Sequence, residues 1–105
     1  MTEPARGEVW WGEAPNEKGR PFLILTRDEA IPVLRTILVA PVTRTVRGIP
    51  TEVALGAEEG LPGEGVAALD NILMFPKAML VRRLGAFAPE RRREPCDALR
   101  AVTDC

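Results

Sequence analysis

The feature that most constrains this chain is a pair of short apolar runs joined by a proline-bearing turn. Gly19-Arg20-Pro21 leads into Phe22-Leu23-Ile24-Leu25, and a second run, Thr36-Ile37-Leu38-Val39-Ala40-Pro41-Val42, ends at Thr43. Near-continuous apolar runs of this length are expected of buried strands. Pro21 fits as the first residue of its strand, where a missing ladder donor is tolerated. Antiparallel pairing about a turn at Ile31-Pro32 makes facing residue numbers sum to about 63. Arg20 then lies opposite Thr43 at the open end of the ladder. A guanidinium beside a hydroxyl at a sheet end is a candidate anion site, with phosphate the obvious anion.

At 105 residues and 46% hydrophobic content, the chain is expected to form one folded domain over residues 1–105. No apolar stretch reaches the roughly 18 residues that a bilayer span requires. The segment Met1-Thr2-Glu3-Pro4-Ala5-Arg6 lacks an apolar signal region, which makes a cytoplasmic location the default expectation. Cys96 and Cys105 would stand about 13 Å apart along one helix, too far for a disulfide, so free thiols are expected. With no histidine and no further cysteine, neither a zinc site nor another metal site is expected. The net charge of −1 argues little for nucleic-acid binding, but its distribution is uneven. Between Ala30 and Thr51 there is no acidic residue, while Arg35, Arg44 and Arg47 fall there. All the basic residues except Lys18 and Lys77 are arginine, the side chain suited to bidentate phosphate contact.

The remaining elements follow from alternation and turn residues. Val9-Trp10-Trp11 reads as a first strand, with Trp10 and Trp11 on opposite faces. One of them is expected in the core and the other at an interface or stacking surface. Gly12 to Gly19 is a loop, and Thr43 to Pro50 is a polar, basic one. Thr51 to Leu55 alternates as a half-exposed strand should. Gly56 to Gly65 reads as a surface loop, Gly65 to Ile72 as a further strand, Pro76 to Leu80 as a short helical turn, and Arg82 to Phe87 as a last strand. From Pro89 the tail carries a helix signature. Pro95 permits either two short pieces or a helix that begins near it. Arg91-Arg92-Arg93 reads as a solvated helix face. These elements predict a mainly β (α+β) chain: a small antiparallel β-barrel with a C-terminal helix.

Cleavage of RNA by its own 2′-hydroxyl needs proton removal, stabilisation of phosphoryl charge and protonation of the leaving oxygen. Arginine serves the second need well and the first poorly. A chain without histidine must find another base, and Glu17 or Asp70 are candidates, with Thr43 donating a hydrogen bond to phosphate. An internal nucleophile also removes the need for a metal. The plain alternative is that Arg20 pairs with a rim carboxylate and Thr43 merely ends a strand.

Several segments in fixed order carry a family resemblance. They are Arg6-Gly7-Glu8-Val9-Trp10-Trp11, Gly19 to Leu25, Val39-Ala40-Pro41-Val42-Thr43, Gly48-Ile49-Pro50-Thr51-Glu52-Val53, Leu69-Asp70-Asn71-Ile72 and Arg82-Arg83-Leu84-Gly85. Together they resemble the MazF/PemK-type toxins of bacterial type II toxin–antitoxin systems over nearly the whole chain. The resemblance implies an SH3-like barrel of the MazF/PemK/CcdB type, a homodimer, and sequence-specific, metal-independent cleavage of single-stranded RNA without a cofactor. The products would be a 2′,3′-cyclic phosphate and a 5′-hydroxyl. It implies Arg20 and Thr43 as catalytic residues, with Glu17 a tentative third. RNA contacts would come from Lys18 in the loop before Arg20, from Arg44, Thr45 and Arg47 after Thr43, and from Asp70-Asn71. A cognate antitoxin would lay an acidic C-terminal tail in the same groove.

Two departures bear on the chemistry. Family members often carry a Glu five residues before the Arg, whereas Glu17 stands three before Arg20. Some also carry an Arg where this chain has Ala68, so an acid–base scheme using that Arg cannot operate. Relatives with the same barrel poison gyrase through a Trp-Gly-Ile ending, while this chain ends Val102-Thr103-Asp104-Cys105. That counts against a gyrase poison, which stands as one alternative beside a non-catalytic RNA- or antitoxin-binding barrel.

Overall fold

The computed structural model describes residues 3–103. Seven strands and one helix follow in order: β1 (Glu8–Gly12), β2 (Arg20–Ile24), β3 (Thr36–Thr43), β4 (Glu52–Leu55), β5 (Gly65–Ala68), β6 (Leu73–Pro76), β7 (Leu80–Ala86) and α1 (Glu94–Thr103). Every strand pairing is antiparallel. The sheet runs β4-β5-β3-β2-β1-β7, with β6 added to β3. The long strand β3 holds β2 along one edge. Its other edge is shared, with β6 facing residues 36–39 and β5 facing residues 42–43. A strand that changes partner partway along bends the sheet around itself, and here the sheet curls into a half-barrel.

The central strands are apolar on both faces because both faces are covered. On one side Val9, Leu23, Ala40 and Val42 pack with Val53, Leu55, Leu61, Ala67, Leu69 and Ala98 of α1. On the other, Trp10, Phe22, Ile24, Ile37 and Val39 meet Ile31, Phe75 and Leu80. Leu23, Ile24 and Ile37 are fully buried, and truncating any of them to Ala should cost roughly 2–5 kcal/mol. The turn over Ile31–Val33 lies where proline placed it, and the observed register pairs Phe22 with Pro41, Leu23 with Ala40 and Ile24 with Val39.

Strands β4 and β7 are not neighbours in the sheet, and the turn after β4 spans the space between them. Gly60, at φ +89°, ends a 3-10 turn over Ala57–Glu59 and lies against the β7 backbone. A Cβ on Gly60 would fall 2.0 Å from the Leu84 carbonyl oxygen, and one on Gly85 would fall 2.4 Å from the Glu59 carbonyl oxygen. Two glycines let the backbones cross. The crossing is locked by Arg91, whose Nη1 donates to Glu59 at 3.0 Å and whose Nη2 donates to the Ala54 carbonyl and to Glu94, each at 2.6 Å. Its guanidinium also lies 4.6 Å from the centre of the Phe87 ring.

The structure revises several sequence expectations. The strand expected over Gly65 to Ile72 stops at Ala68, and Leu69–Asn71 turns as a 3-10 segment. That turn frees Leu73–Pro76 to pair with the first half of β3, giving a strand that its residues alone did not announce. A helical turn occurs at Lys77–Met79, inside the span expected for it, and β7 begins two residues early at Leu80. Both options for the tail hold together: a 3-10 turn over Pro89–Arg91, then α1 with Pro95 in its first turn, where no backbone donor is needed. Arg92 and Arg93 are exposed, as a solvated face requires, but Arg91 is half-buried in the lock just described. Cys96 is a free thiol; Cys105 lies outside the described residues.

Candidate functional site

Continuing the β2–β3 register by two residues sets Arg20 across from Thr43, and both line one cavity of about 250 Å³. Its other walls include Trp11, Gly19, Pro21, Arg44 and the Leu61–Gly65 loop. The approach of that loop depends on Gly65, since a Cβ there would stand 2.8 Å from the Thr43 carbonyl oxygen. Gly19 serves in the same way for another wall: a Cβ there would lie 2.5 Å from the Trp11 indole. Trp11 donates its Nε1–H to Glu13 at 2.9 Å. Trp10 points the other way, into the core, and donates to Glu8 at 2.9 Å.

The Thr43 hydroxyl oxygen accepts a hydrogen bond from the Thr45 N–H at 3.1 Å. That bond occupies an acceptor lone pair and leaves the hydroxyl proton to donate outward. Arg20 is exposed and forms no ion pair among the described residues, so its guanidinium is open to an incoming anion. A donor hydroxyl and a free guanidinium across one small cavity form an oxyanion cradle.

Arg20 also borders a second hollow, of about 420 Å³, with Glu17, Lys18, Gly12, Pro41, Leu73 and Phe75. Arg20 thus shares one hollow with Glu17 and the other, holding Thr43, with Glu64. Sequence reasoning missed Glu64. It sits in a Gly/Glu-rich loop with no periodicity, and only the fold carries that loop to Thr43. One of the two tryptophans was expected at a surface, and the structure makes it Trp11, a wall of this site.

Arg47 and Asp70 are brought together, but with each other. Arg47 Nη2 donates to both Asp70 carboxylate oxygens, at 2.9 and 3.2 Å, and Arg47 Nε donates to Glu52 Oε2 at 2.9 Å. The other Glu52 oxygen accepts the backbone N–H groups of Arg47 (3.0 Å) and Gly48 (2.9 Å). Burial pushes the Glu52 carboxyl up, yet these hydrogen bonds outweigh it and hold the group below its ordinary range. The Arg47 guanidinium is raised, first by its bond to Glu52 and then by that to Asp70. Asn71 is exposed beside this cluster, and Arg44 and Thr45 are exposed on the loop that it anchors. None of Thr45, Arg47, Asp70 or Asn71 lines the Arg20–Thr43 cavity.

A larger cleft, about 520 Å³, lies at the far end of β2, between Leu25, Phe87, Pro95 and the arginines Arg6, Arg27, Arg92 and Arg93. It holds Cys96, whose sulfur is 3.0 Å from Arg6 Nη2. Its size does not make it the candidate reactive site, because Asp28 and Glu29 stand among its arginines and neither Arg20 nor Thr43 lines it. Among the described residues, no three His, Cys, Asp or Glu side chains gather as metal ligands.

A curled β-sheet with one C-terminal helix and a basic, hydroxyl-bearing cavity at its ladder end defines the class that comparison identifies. Residues 5–103 match the model of the "PemK-like, MazF-like toxin of type II toxin-antitoxin system" family, and the chain belongs to that family. It is 46% identical over 103 residues to the probable endoribonuclease MazF5 of Mycobacterium tuberculosis H37Rv, covering 97% of this chain and 94% of that protein. The solved structure of Mycobacterium tuberculosis toxin MazF-mt6 matches with a TM-score of 0.85 at 34% identity, over 92% of this chain and 96% of that one. An endoribonuclease in complex with its cognate antitoxin, from a mycobacterial species, matches with a TM-score of 0.84 at 28% identity, over 96% of this chain and 95% of that one.

Proposed function

We propose that this protein is the toxin of a toxin–antitoxin pair and a metal-independent endoribonuclease that cuts single-stranded RNA in the cytoplasm. The observation that carries the reading is the shared cavity of Arg20 and Thr43, with the Thr43 proton left free to donate. In the reaction the ribose 2′-oxygen attacks the neighbouring phosphorus and the 5′-oxygen leaves, giving a 2′,3′-cyclic phosphate and a 5′-hydroxyl. Arg20 neutralises charge on the pentavalent phosphorane, and Thr43 hydrogen-bonds a non-bridging oxygen. The proton of the 2′-hydroxyl goes to a carboxylate that shares a hollow with Arg20, Glu17 or Glu64, and a solvent water gives the departing 5′-oxygen its proton. Lys18, Arg44, Thr45 and Asn71 contact the RNA around this centre. An antitoxin with an acidic tail blocks the same groove by presenting competing negative charge.

The protein acts as a homodimer. Val33, Leu34, Leu73 and Met74 are exposed apolar residues next to or within the β3–β6 ladder, and β6 has one side without a strand partner among the described residues. An apolar strand at a sheet edge is stabilised by a second copy and is an aggregation hazard without one.

The test is incubation of the purified protein with RNA in excess chelator, followed by chemical mapping of the ends. Cyclic-phosphate and 5′-hydroxyl ends are expected; intact RNA together with inhibited gyrase supercoiling would overturn the reading. Arg20→Ala should lower cleavage by at least about a thousandfold while fold and dimer persist. Glu17→Gln and Glu64→Gln, compared across pH, identify the base as the one whose loss removes the acidic limb of the rate profile.

A further inference from the structure

The loop after Thr43 is built around a carboxylate rather than around its arginines. Glu52 opens β4 and pairs with Ala68 of β5. The Thr51 carbonyl accepts the Leu69 N–H at 2.9 Å, tying the start of β4 to the turn that carries Asp70. Asp70 lies in that 3-10 turn, and its carboxylate reaches the same guanidinium as Glu52 does. Arg47 fills the space between, and the Glu52 side chain is only 3% exposed beneath it. Gly48, at φ +71°, and the Glu52 N–H to Ile49 carbonyl bond (3.0 Å) close the turn. Glu52 alone therefore takes three hydrogen bonds from one loop, two of them from its backbone.

We propose that Glu52, acting through Arg47 and Asp70, is a positioning residue that sets the shape of the 44–50 loop. Arg44 and Thr45 touch RNA, whereas Arg47 and Asp70 are held by each other. The proposal rests on the nuclease reading for its consequence and on the loop geometry for its substance. It reverses the sign expected from charge. Glu52→Gln removes a negative charge next to a polyanion, which would tighten binding if the carboxylate were only a neighbour. As a positioning residue, its loss weakens binding.

Two measurements test this, and they fail separately from the nuclease assignment. The first is hydrogen exchange at the Arg47 and Gly48 amides, which needs no RNA. Glu52→Ala should speed exchange at both by about tenfold or more while β-sheet amides stay protected, and Glu52→Gln should give an intermediate rate that remains readable if the Ala variant does not fold. Unchanged protection overturns the proposal even if the protein cuts RNA. A protein that cuts no RNA but shows the faster exchange keeps the loop assignment and loses the nuclease one.

The second measurement is binding of a labelled single-stranded RNA with methylated 2′-oxygens, which cannot be cut. Glu52→Gln and Arg47→Ala should each weaken binding about tenfold, with the double variant no worse than either single. The dependence of log K on log salt should keep its wild-type slope in Arg47→Ala. On cleavable RNA the change should fall on KM rather than kcat. Tighter binding by Glu52→Gln, or a salt slope smaller by about 0.7 in Arg47→Ala, would instead mark Arg47 as a direct phosphate contact.

Discussion

Two arginines in this protein each stand between two carboxylates, and they do opposite work. Arg91 bridges Glu59 and Glu94, lies over Phe87 and reaches the Ala54 carbonyl. Arg47 bridges Glu52 and Asp70 at a loop tip, with its side chain 47% exposed against 23% for Arg91. The first closes the sheet where β4 and β7 do not pair; the second ties down the exposed loop after Thr43. Similar ion-pair chemistry closes the sheet in one place and, under the proposed function, shapes a recognition loop in the other. The difference lies in what surrounds it: Arg91 has an aromatic face and a backbone carbonyl, whereas Arg47 is answered by carboxylates alone.

The glycines beside the two arginines give the largest contrast. Gly60 and Gly48 both have positive φ, but a Cβ on Gly60 meets the Leu84 carbonyl and one on Gly48 meets nothing. Gly60→Ala should cost upwards of about 3 kcal/mol in denaturant titration, combining left-handed strain with a backbone clash. Gly48→Ala should show the strain alone, about 1 kcal/mol. Equal costs would mean that the crossing over β7 does not hold the half-barrel together.

Next in size is removal of the arginines. Arg91→Ala leaves the buried Glu59 carboxylate without its counter-ion and should cost about 2–3 kcal/mol. Arg47→Ala also strips a covered carboxylate of its partner, but at an exposed loop where water can take the guanidinium's place, so it should lower the melting temperature less than Arg91→Ala does while RNA affinity falls. A loss of melting temperature in Arg47→Ala matching that of Arg91→Ala would break the comparison.

The smallest effect concerns acid. The Glu52 carboxyl is held below its ordinary value of 4.5, so its stabilisation of the loop is complete above that pH and fades as pH falls through the lowered value. Glu94 is also lowered, chiefly by its hydrogen bond from Arg91, but Phe87 and the Ala54 carbonyl do not titrate. On acidification below about pH 4.5, amide protection at Arg47 and Gly48 should therefore disappear before protection around the Arg91 lock. Simultaneous loss would show that the two ends unfold together.

The pairing of β2 with β3 was legible because two apolar runs and one proline turn leave a single register that keeps both faces dry. From that register the neighbourhood of Arg20 and Thr43 follows without further information. β6 was not legible, since Leu73-Met74-Phe75-Pro76 becomes a strand only because β3 offers it an open edge. The Arg47–Asp70 pair, 23 residues apart, depends on the turn at Leu69–Asn71 and on Thr51 anchoring it. Glu64 was hidden for a similar reason: its loop has no pattern, and a close approach at Gly65 alone brings it to Thr43. Local chemistry marked which residues are candidates, while long-range closure decided which of them are neighbours.

Strand β3 runs unbroken from the apolar residue Ile37 to Thr43, the proposed catalytic hydroxyl, with every second side chain committed to one face of the core. Insertions and deletions should therefore fall very unevenly in descendants of this sequence. An extra residue between Arg27 and Arg35 lengthens a connection and leaves the pairing intact. An extra residue between Ile37 and Val42 turns half of the strand inside out, expelling core side chains as it moves the hydroxyl off its partner. Frame errors that would disarm the toxin would thus also unfold it, so a lineage should shed this activity through point changes at Arg20 or Thr43 far more readily than by length changes in β3.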